Sequence, residues 1–151
     1  MLLRTLIAAF TFALTASIAQ AHVSVRPRES KPGATEKYIV RVPTEGTVAT
    51  ASVEVDIPQG VMVGSVEPVD GVKADMKQEG GRIVSITWTV AIEPGANREF
   101  TFTAKNPSEG TDITWKAHQR YADGTSSEWV GVAGTRQPAA VTKLTAGGAG
   151  Q

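Results

Sequence analysis

The chain carries two histidines, His22 and His118, and no cysteine. The lack of thiols excludes disulfides, thiolate metal sites, CxxC redox chemistry and a cysteine nucleophile. Two imidazoles also exclude any centre that needs three. His22 is the more informative of the pair because of what precedes it. Met1 to Ala21 has a basic Arg4, then an uncharged apolar run from Thr5 to Ala19, and it ends Ala19-Gln20-Ala21. That order describes a secretory signal peptide with an A-x-A cleavage site. Its apolar run is short for a membrane span, which takes about 20 apolar residues. Cleavage after Ala21 makes His22 the first residue of the mature chain. A terminal His offers an α-amine and an imidazole Nδ1 on one residue, and the two nitrogens can close a chelate ring on one metal ion. Their ordinary pKa values, about 8 and about 6.5, leave both available near neutral pH with little penalty. Nitrogen pairs of this kind favour Cu(II), which heads the divalent affinity order and accepts tetragonal geometry. A cut one residue earlier would leave Ala21 in front of His22 and remove the chelate.

Such a terminus needs a scaffold, and the rest of the chain reads as all-β. Lys37 to Val42 puts Tyr38, Val40 and Val42 on one face. Ser52 to Ile57 turns Val53, Val55 and Ile57 inward and Ser52, Glu54 and Asp56 outward. Arg82 to Val90 groups Val84, Ile86, Trp88 and Val90. Glu99 to Ala104 groups Phe100, Phe102 and Ala104. Ile113 to Tyr121 reads as one strand, with Ile113, Trp115, Ala117, Gln119 and Tyr121 together. Glu128 to Val132 is the last expected strand. Period-two alternation with one apolar face marks half-buried strands. Turn signals separate the runs: Pro58-Gln59-Gly60, Asp70-Gly71, Gly80-Gly81, Pro94-Gly95 and Asn106-Pro107. Tyr121-Ala122-Asp123-Gly124 predicts the turn of a hairpin. Short strands with Gly and Pro between them predict a single β-sandwich of antiparallel sheets, immunoglobulin- or cupredoxin-like. The expected organisation is a signal peptide over 1–21, a sandwich over 22–143 and a Gly/Ala-rich flexible tail over 144–151.

Composition narrows the function. Length 151 fits one domain, and 41% hydrophobic residues suffice for a core. Lys plus Arg and Asp plus Glu are 15 each, so there is no basic footprint for nucleic acid. No segment after Ala21 approaches the length of a membrane span, so the mature chain is expected to be soluble and exported, in the periplasm. No Gly-x-Ser-x-Gly elbow is present to support a hydrolase.

Three blocks carry a resemblance. They are Ala21-His22-Val23-Ser24-Val25-Arg26-Pro27; Tyr38 to Glu45 followed by Val53-Glu54-Val55-Asp56-Ile57-Pro58-Gln59-Gly60-Val61; and Gln119-Arg120-Tyr121-Ala122-Asp123-Gly124 running on to Trp129. Their order and spacing, from His22 to about Gly131, resemble the YcnI-like family, the DUF1775 domain. The resemblance implies an exported copper-binding protein with a β-sandwich core. It implies one copper ion per chain, held by the N-terminal His, with a carboxylate and a Trp nearby. His22 matches the family's His, Glu45 the Glu of its Val-Pro-x-Glu block, and Trp129 the Trp that closes its Tyr-x-Asp-Gly block. Two departures stand out. Many members end in a membrane helix and this chain does not, so it is expected to diffuse freely. Gly71-Val72 stands where the family often has Gly-Trp.

The residue chemistry agrees with these assignments. Glu45 follows Pro43 at a strand end, where a loop carboxylate can reach a site at one end of the sandwich. Its rival, Glu99, shares a face with Thr101 and Thr103 and reads as solvent-facing. Neutral indole is a poor σ-donor, but the face of Trp129 can attract a cation. Trp88 and Trp115 lie on apolar faces and read as core. His118 shares its face with Thr114, Lys116 and Arg120. A two-histidine brace, as in copper oxygenases, would need His118 beside His22. Met62 and Met76 are too scattered for a Met-rich Cu(I) site. The leading expectation is a periplasmic copper binder, not an enzyme, and the resemblance implies another periplasmic copper chaperone as its exchange partner. A copper redox enzyme and a metal-free adhesion sandwich are the alternatives.

Overall fold

The computed structural model describes residues 22–146. The expected signal peptide and the end of the expected tail lie outside them. Among the described residues there are twelve strands and no helix: β1 (Ser24–Arg26), β2 (Glu29–Ser30), β3 (Thr35–Pro43), β4 (Thr50–Asp56), β5 (Met62–Val66), β6 (Lys73–Glu79), β7 (Arg82–Ile92), β8 (Asn97–Lys105), β9 (Asp112–Trp115), β10 (Ala117–Tyr121), β11 (Ser126–Trp129) and β12 (Ala140–Leu144). A four-stranded sheet runs β1-β3-β8-β5 and a five-stranded sheet runs β11-β10-β4-β7-β6. A third sheet, β2-β12-β9, is mixed rather than antiparallel, because β2 and β12 pair in parallel.

Alternation sends one side of each central strand into a shared core. Tyr38, Val40 and Val42 of β3 and Phe100 and Phe102 of β8 are buried on one sheet. Val53 and Val55 of β4 and Ile86 and Trp88 of β7 are buried on the other. Aromatic rings join the layers. Trp88 stacks on Phe100 at 5.2 Å between centroids, and Trp115 of β9 lies 4.7 Å from Tyr38 and 5.6 Å from Phe102. Such offset and tilted pairs contribute beyond the area they bury. The Tyr38 hydroxyl donates to Asn106 Oδ1 at 2.5 Å. Burial, then the charge of Glu36, push its phenol up to about 12, so it stays a neutral donor.

Two expected strands differ from the structure. Ile113 to Tyr121 is not one strand. It breaks at Lys116 into β9, which pairs with β12, and β10, which pairs with β4 and β11. The inward set Ile113, Trp115, Ala117 and Gln119 stays buried across the break. Periodicity reports which way side chains face, not which strand supplies the hydrogen bonds, so the change of sheet leaves no mark in the pattern. The second strand ends at Trp129 rather than Val132. Val130 and Val132 are exposed, Val132 at 76%. After Trp129 the chain leaves β10 and closes a loop across Gly131, whose N–H donates to Gln137 O while its own O accepts from Ala139. The final strand reaches Leu144, which is buried, one residue past the expected boundary. The expected hairpin turn is present: Tyr121 N–H donates to Thr125 O, and Gly124 N–H to Tyr121 O.

Gly131 is required by close approach. A Cβ there would lie 2.3 Å from Thr135 Oγ1 and 3.0 Å from Gln137 O. Gly131→Ala should therefore displace the 131–138 loop and lower stability by about 1–3 kcal/mol, read as a shift in the urea midpoint. An unchanged midpoint would show that the loop yields without loss.

Candidate metal centre

Chain geometry places His22 before any metal is considered. Val23 and Val25 are buried, and β1 pairs antiparallel with β3, Ser24 opposite Arg41 and Val25 opposite Val40. Continuing that register by two residues brings His22 alongside Pro43, at the end of β3. One residue after the buried Thr44, Glu45 emerges into solvent. The turn is pinned from behind, because Thr44 N–H donates to Ala96 O and Thr44 O accepts from Gly95 N–H. Trp129 closes β11, opposite Ala117 of β10, and is 7% exposed. Its ring lies 5.4 Å from the His22 ring, tilted by 54°. His22, Glu45 and Trp129 all line one open cavity of about 520 Å³. Pro43, Gln119, Tyr121 and Arg136 share its wall.

One buried side chain holds these pieces in place. Gln119 is 1% exposed. Its Nε2 donates to Pro43 O at 2.8 Å and to Thr50 Oγ1 at 2.7 Å, and its Oε1 accepts from Trp129 Nε1 at 3.0 Å. Thr50 in turn meets Thr44 Oγ1 at 2.6 Å. Both ends of the amide are satisfied, as a buried polar group requires. The indole N–H of Trp129 is therefore already spent on Gln119. What Trp129 offers the cavity is its ring, which suits a cation–π contact or steric cover, not a nitrogen ligand.

The other expected candidates lie elsewhere. Glu99 projects from the outer face of β8 and pairs with Arg26 at 2.7 Å. His118 alternates with Gln119, so it faces away from the core, and it does not line the cavity. The brace that would join it to His22 is not formed. Instead Asp56 and Glu128 hold its two ring nitrogens. Met62 and Met76 are exposed on β5 and β6, in different sheets. Trp88 and Trp115 are core residues. The sequence reading placed Gln119 inward without seeing its role. Tyr121 was likewise grouped with that face but not with a site, and Ser127 and the loop residues Thr135, Arg136 and Gln137 were missed, since they reach the cavity from an edge strand and a loop where no periodicity marks them.

Two outcomes follow. Gln119→Leu strands the Trp129 N–H and the Pro43 carbonyl and should cost about 1–3 kcal/mol for each buried group left unpaired, read by urea unfolding. A wild-type midpoint would mean that water replaces the amide. For His118, burial opposes the charged ring, but the hydrogen bonds and charges of Asp56 and Glu128 outweigh it and hold the pKa above 6.5. A raised folded-state pKa gives stability that is complete below the unfolded value and fades as pH rises through the folded value. In metal-free buffer, His118→Gln should thus lower Tm more at about pH 6 than at about pH 9. Equal losses at both would mean that the charge contributes nothing.

A family model described as a domain of unknown function (DUF1775) matches residues 22–144. The copper-binding protein CutI of Bacillus subtilis (strain 168) is 37% identical over 130 residues, an alignment that covers 84% of this chain and 64% of that protein. This chain thus spans less than two thirds of that relative's length. Among solved structures, an uncharacterised protein from Nocardia farcinica with an immunoglobulin-like fold superposes with a TM-score of 0.75 at 26% identity, over 83% of this chain and 99% of that one. A cohesin module from a Clostridium perfringens family 33 glycoside hydrolase reaches 0.54 at 11% identity, over 83% and 96%, a likeness of fold alone. A match that begins at the cavity's own His22 and runs through the last strand makes this chain a member of the DUF1775 family, built on an immunoglobulin-like β-sandwich.

Proposed function

We propose that this protein binds one copper ion, taken up as Cu(II), at the cavity lined by His22, Glu45 and Trp129. The observation that carries the reading is the convergence of these three side chains, from the segment before β1, the β3–β4 turn and β11, on one open cavity. The name of the Bacillus subtilis relative supports copper as the cargo. In the exported chain, with Ala21 removed, the α-amine and Nδ1 of His22 supply two nitrogen donors. The carboxylate of Glu45 offsets one of the ion's charges, and the Trp129 ring covers one side. Few donors and an open wall suit exchange better than permanent retention. We therefore read the protein as a periplasmic carrier or buffer that passes copper to or from another exported copper chaperone, and as a binder rather than an enzyme. The position of His118, on the far side of the sheet, removes the second imidazole that an oxygenase-like brace would use.

The test compares protein that begins at His22 with a twin that retains Ala21. Both are titrated with Cu(II) and followed by EPR and Trp fluorescence. Only the form beginning at His22 should give one tetragonal site with nitrogen couplings and quenched emission. Glu45→Gln should weaken it by about tenfold, or ~1.4 kcal/mol. Equal binding by both forms would put the ligands elsewhere, and no binding by either would overturn the copper reading.

A further inference from the structure

The outer face of the five-stranded sheet carries a second group of donor side chains. Strand register assembles it. His118 of β10 stands directly between Glu128 of β11 and Glu54 of β4, with Asp56 two residues along β4. One ring nitrogen of His118 and one carboxylate oxygen each from Glu54 and Asp56 lie within 4.8 Å of one another. His118 Nε2 is 3.0 Å from Asp56 Oδ2. Bonds of about 2.0 Å at tetrahedral angles would separate two ligand atoms by roughly 3.3 Å. Nδ1 is engaged by Glu128, the pairing that orients a metal-binding imidazole, and Nε2, which here meets Asp56, is the nitrogen turned toward the other two donors. Glu54 is oriented too, by Thr87 Oγ1 at 3.1 Å, and Ser85 Oγ lies 3.5 Å from the same oxygen.

Charge makes the same case. Three carboxylates surround one imidazole. Among the described residues no Lys or Arg forms an ion pair with Glu54, Asp56 or Glu128. The nearby cations are otherwise placed: Lys77 pairs with Glu79 across its own strand, and Arg120 acts on Glu128 only at longer range. Lys116 lies outside β10, at the break that follows β9, and is exposed.

We propose that Nε2 of His118, Asp56 and Glu54 form a second divalent-metal site of the zinc(II) class, on the sheet face opposite the cavity, with Glu128 orienting the imidazole. One nitrogen and two carboxylate oxygens match the ligand chemistry of such ions and leave a position open to water. The metal takes the place that the His118 proton fills in acid, so binding releases a proton and weakens as pH falls. The site does not depend on His22, so it stands or falls apart from the copper reading.

The test uses Zn(II) alone on the chain carrying His22→Ala and Glu45→Gln, with isothermal titration and NMR of the His118 ring. One equivalent should bind at about pH 7.5 and be lost near pH 5, with the His118 resonances shifting on binding. Glu54→Gln with Asp56→Asn, which keep side-chain shape, should abolish binding, and Glu128→Gln should weaken it by about 10–100-fold. Near-UV circular dichroism of the Trp bands reports that each variant is folded. Should a variant fail to fold, the His118 shift in the parent chain decides. Zn(II) uptake that leaves the His118 resonances unmoved, uptake that survives the paired substitution, or no uptake at millimolar Zn(II) would overturn the proposal.

Discussion

The Gln119 amide is the constraint on which the candidate centre depends. It joins the two ends of the β3–β4 turn, the end of β3 through Pro43 and the start of β4 through Thr50, to the end of β11 through Trp129. Pro43 belongs to the four-stranded sheet and the other two to the five-stranded sheet, so the amide ties the layers at the rim where the core gives out. An apolar residue of similar size could fill the space but could not fix the Trp129 ring or the turn that ends in Glu45. A polar group in this position specifies arrangement more than it adds stability, since a typical hydrogen bond nets only about 1 kcal/mol.

Strand β10 then has two sides with two chemistries. Gln119 faces in and organises the cavity beside His22. His118, its neighbour, faces out among carboxylates. The strand pleat alone separates them, because successive side chains must point to opposite faces. A shift of register by one residue would exchange the two and destroy both arrangements. The register is held on both edges, by β4 and by β11.

Much of the fold was legible because half-buried strands write their burial into a period of two. Tyr38-Val40-Val42, Val53-Val55 and Phe100-Phe102 were read as inward and are buried. β6 escaped because all seven of its residues are exposed and leave no alternation to see. The break at Lys116 escaped because facing continued while pairing changed. At the candidate centre, His22 stood out because of the cleavage pattern before it, and Glu45 and Trp129 were named through family resemblance. Arg136 and Gln137 sit in a loop whose path depends on Gly131 and on bonds to Ala139, and no local pattern announces that. The His118 group was half visible: Glu54 and Asp56 were read as outward, but only long-range register shows that a histidine stands between them.

The separation of the cavity's walls along the chain has a kinetic consequence. His22 and Gln137 stand near opposite ends of the described sequence, and Glu45 and Gln119 lie between them. Non-local pairing of this kind is slow to form, because loop closure must be met before contacts repay it. An unfolded chain has no such cavity at any stage. A ligand that needs all of the cavity's walls at once can therefore be held only by a finished sandwich.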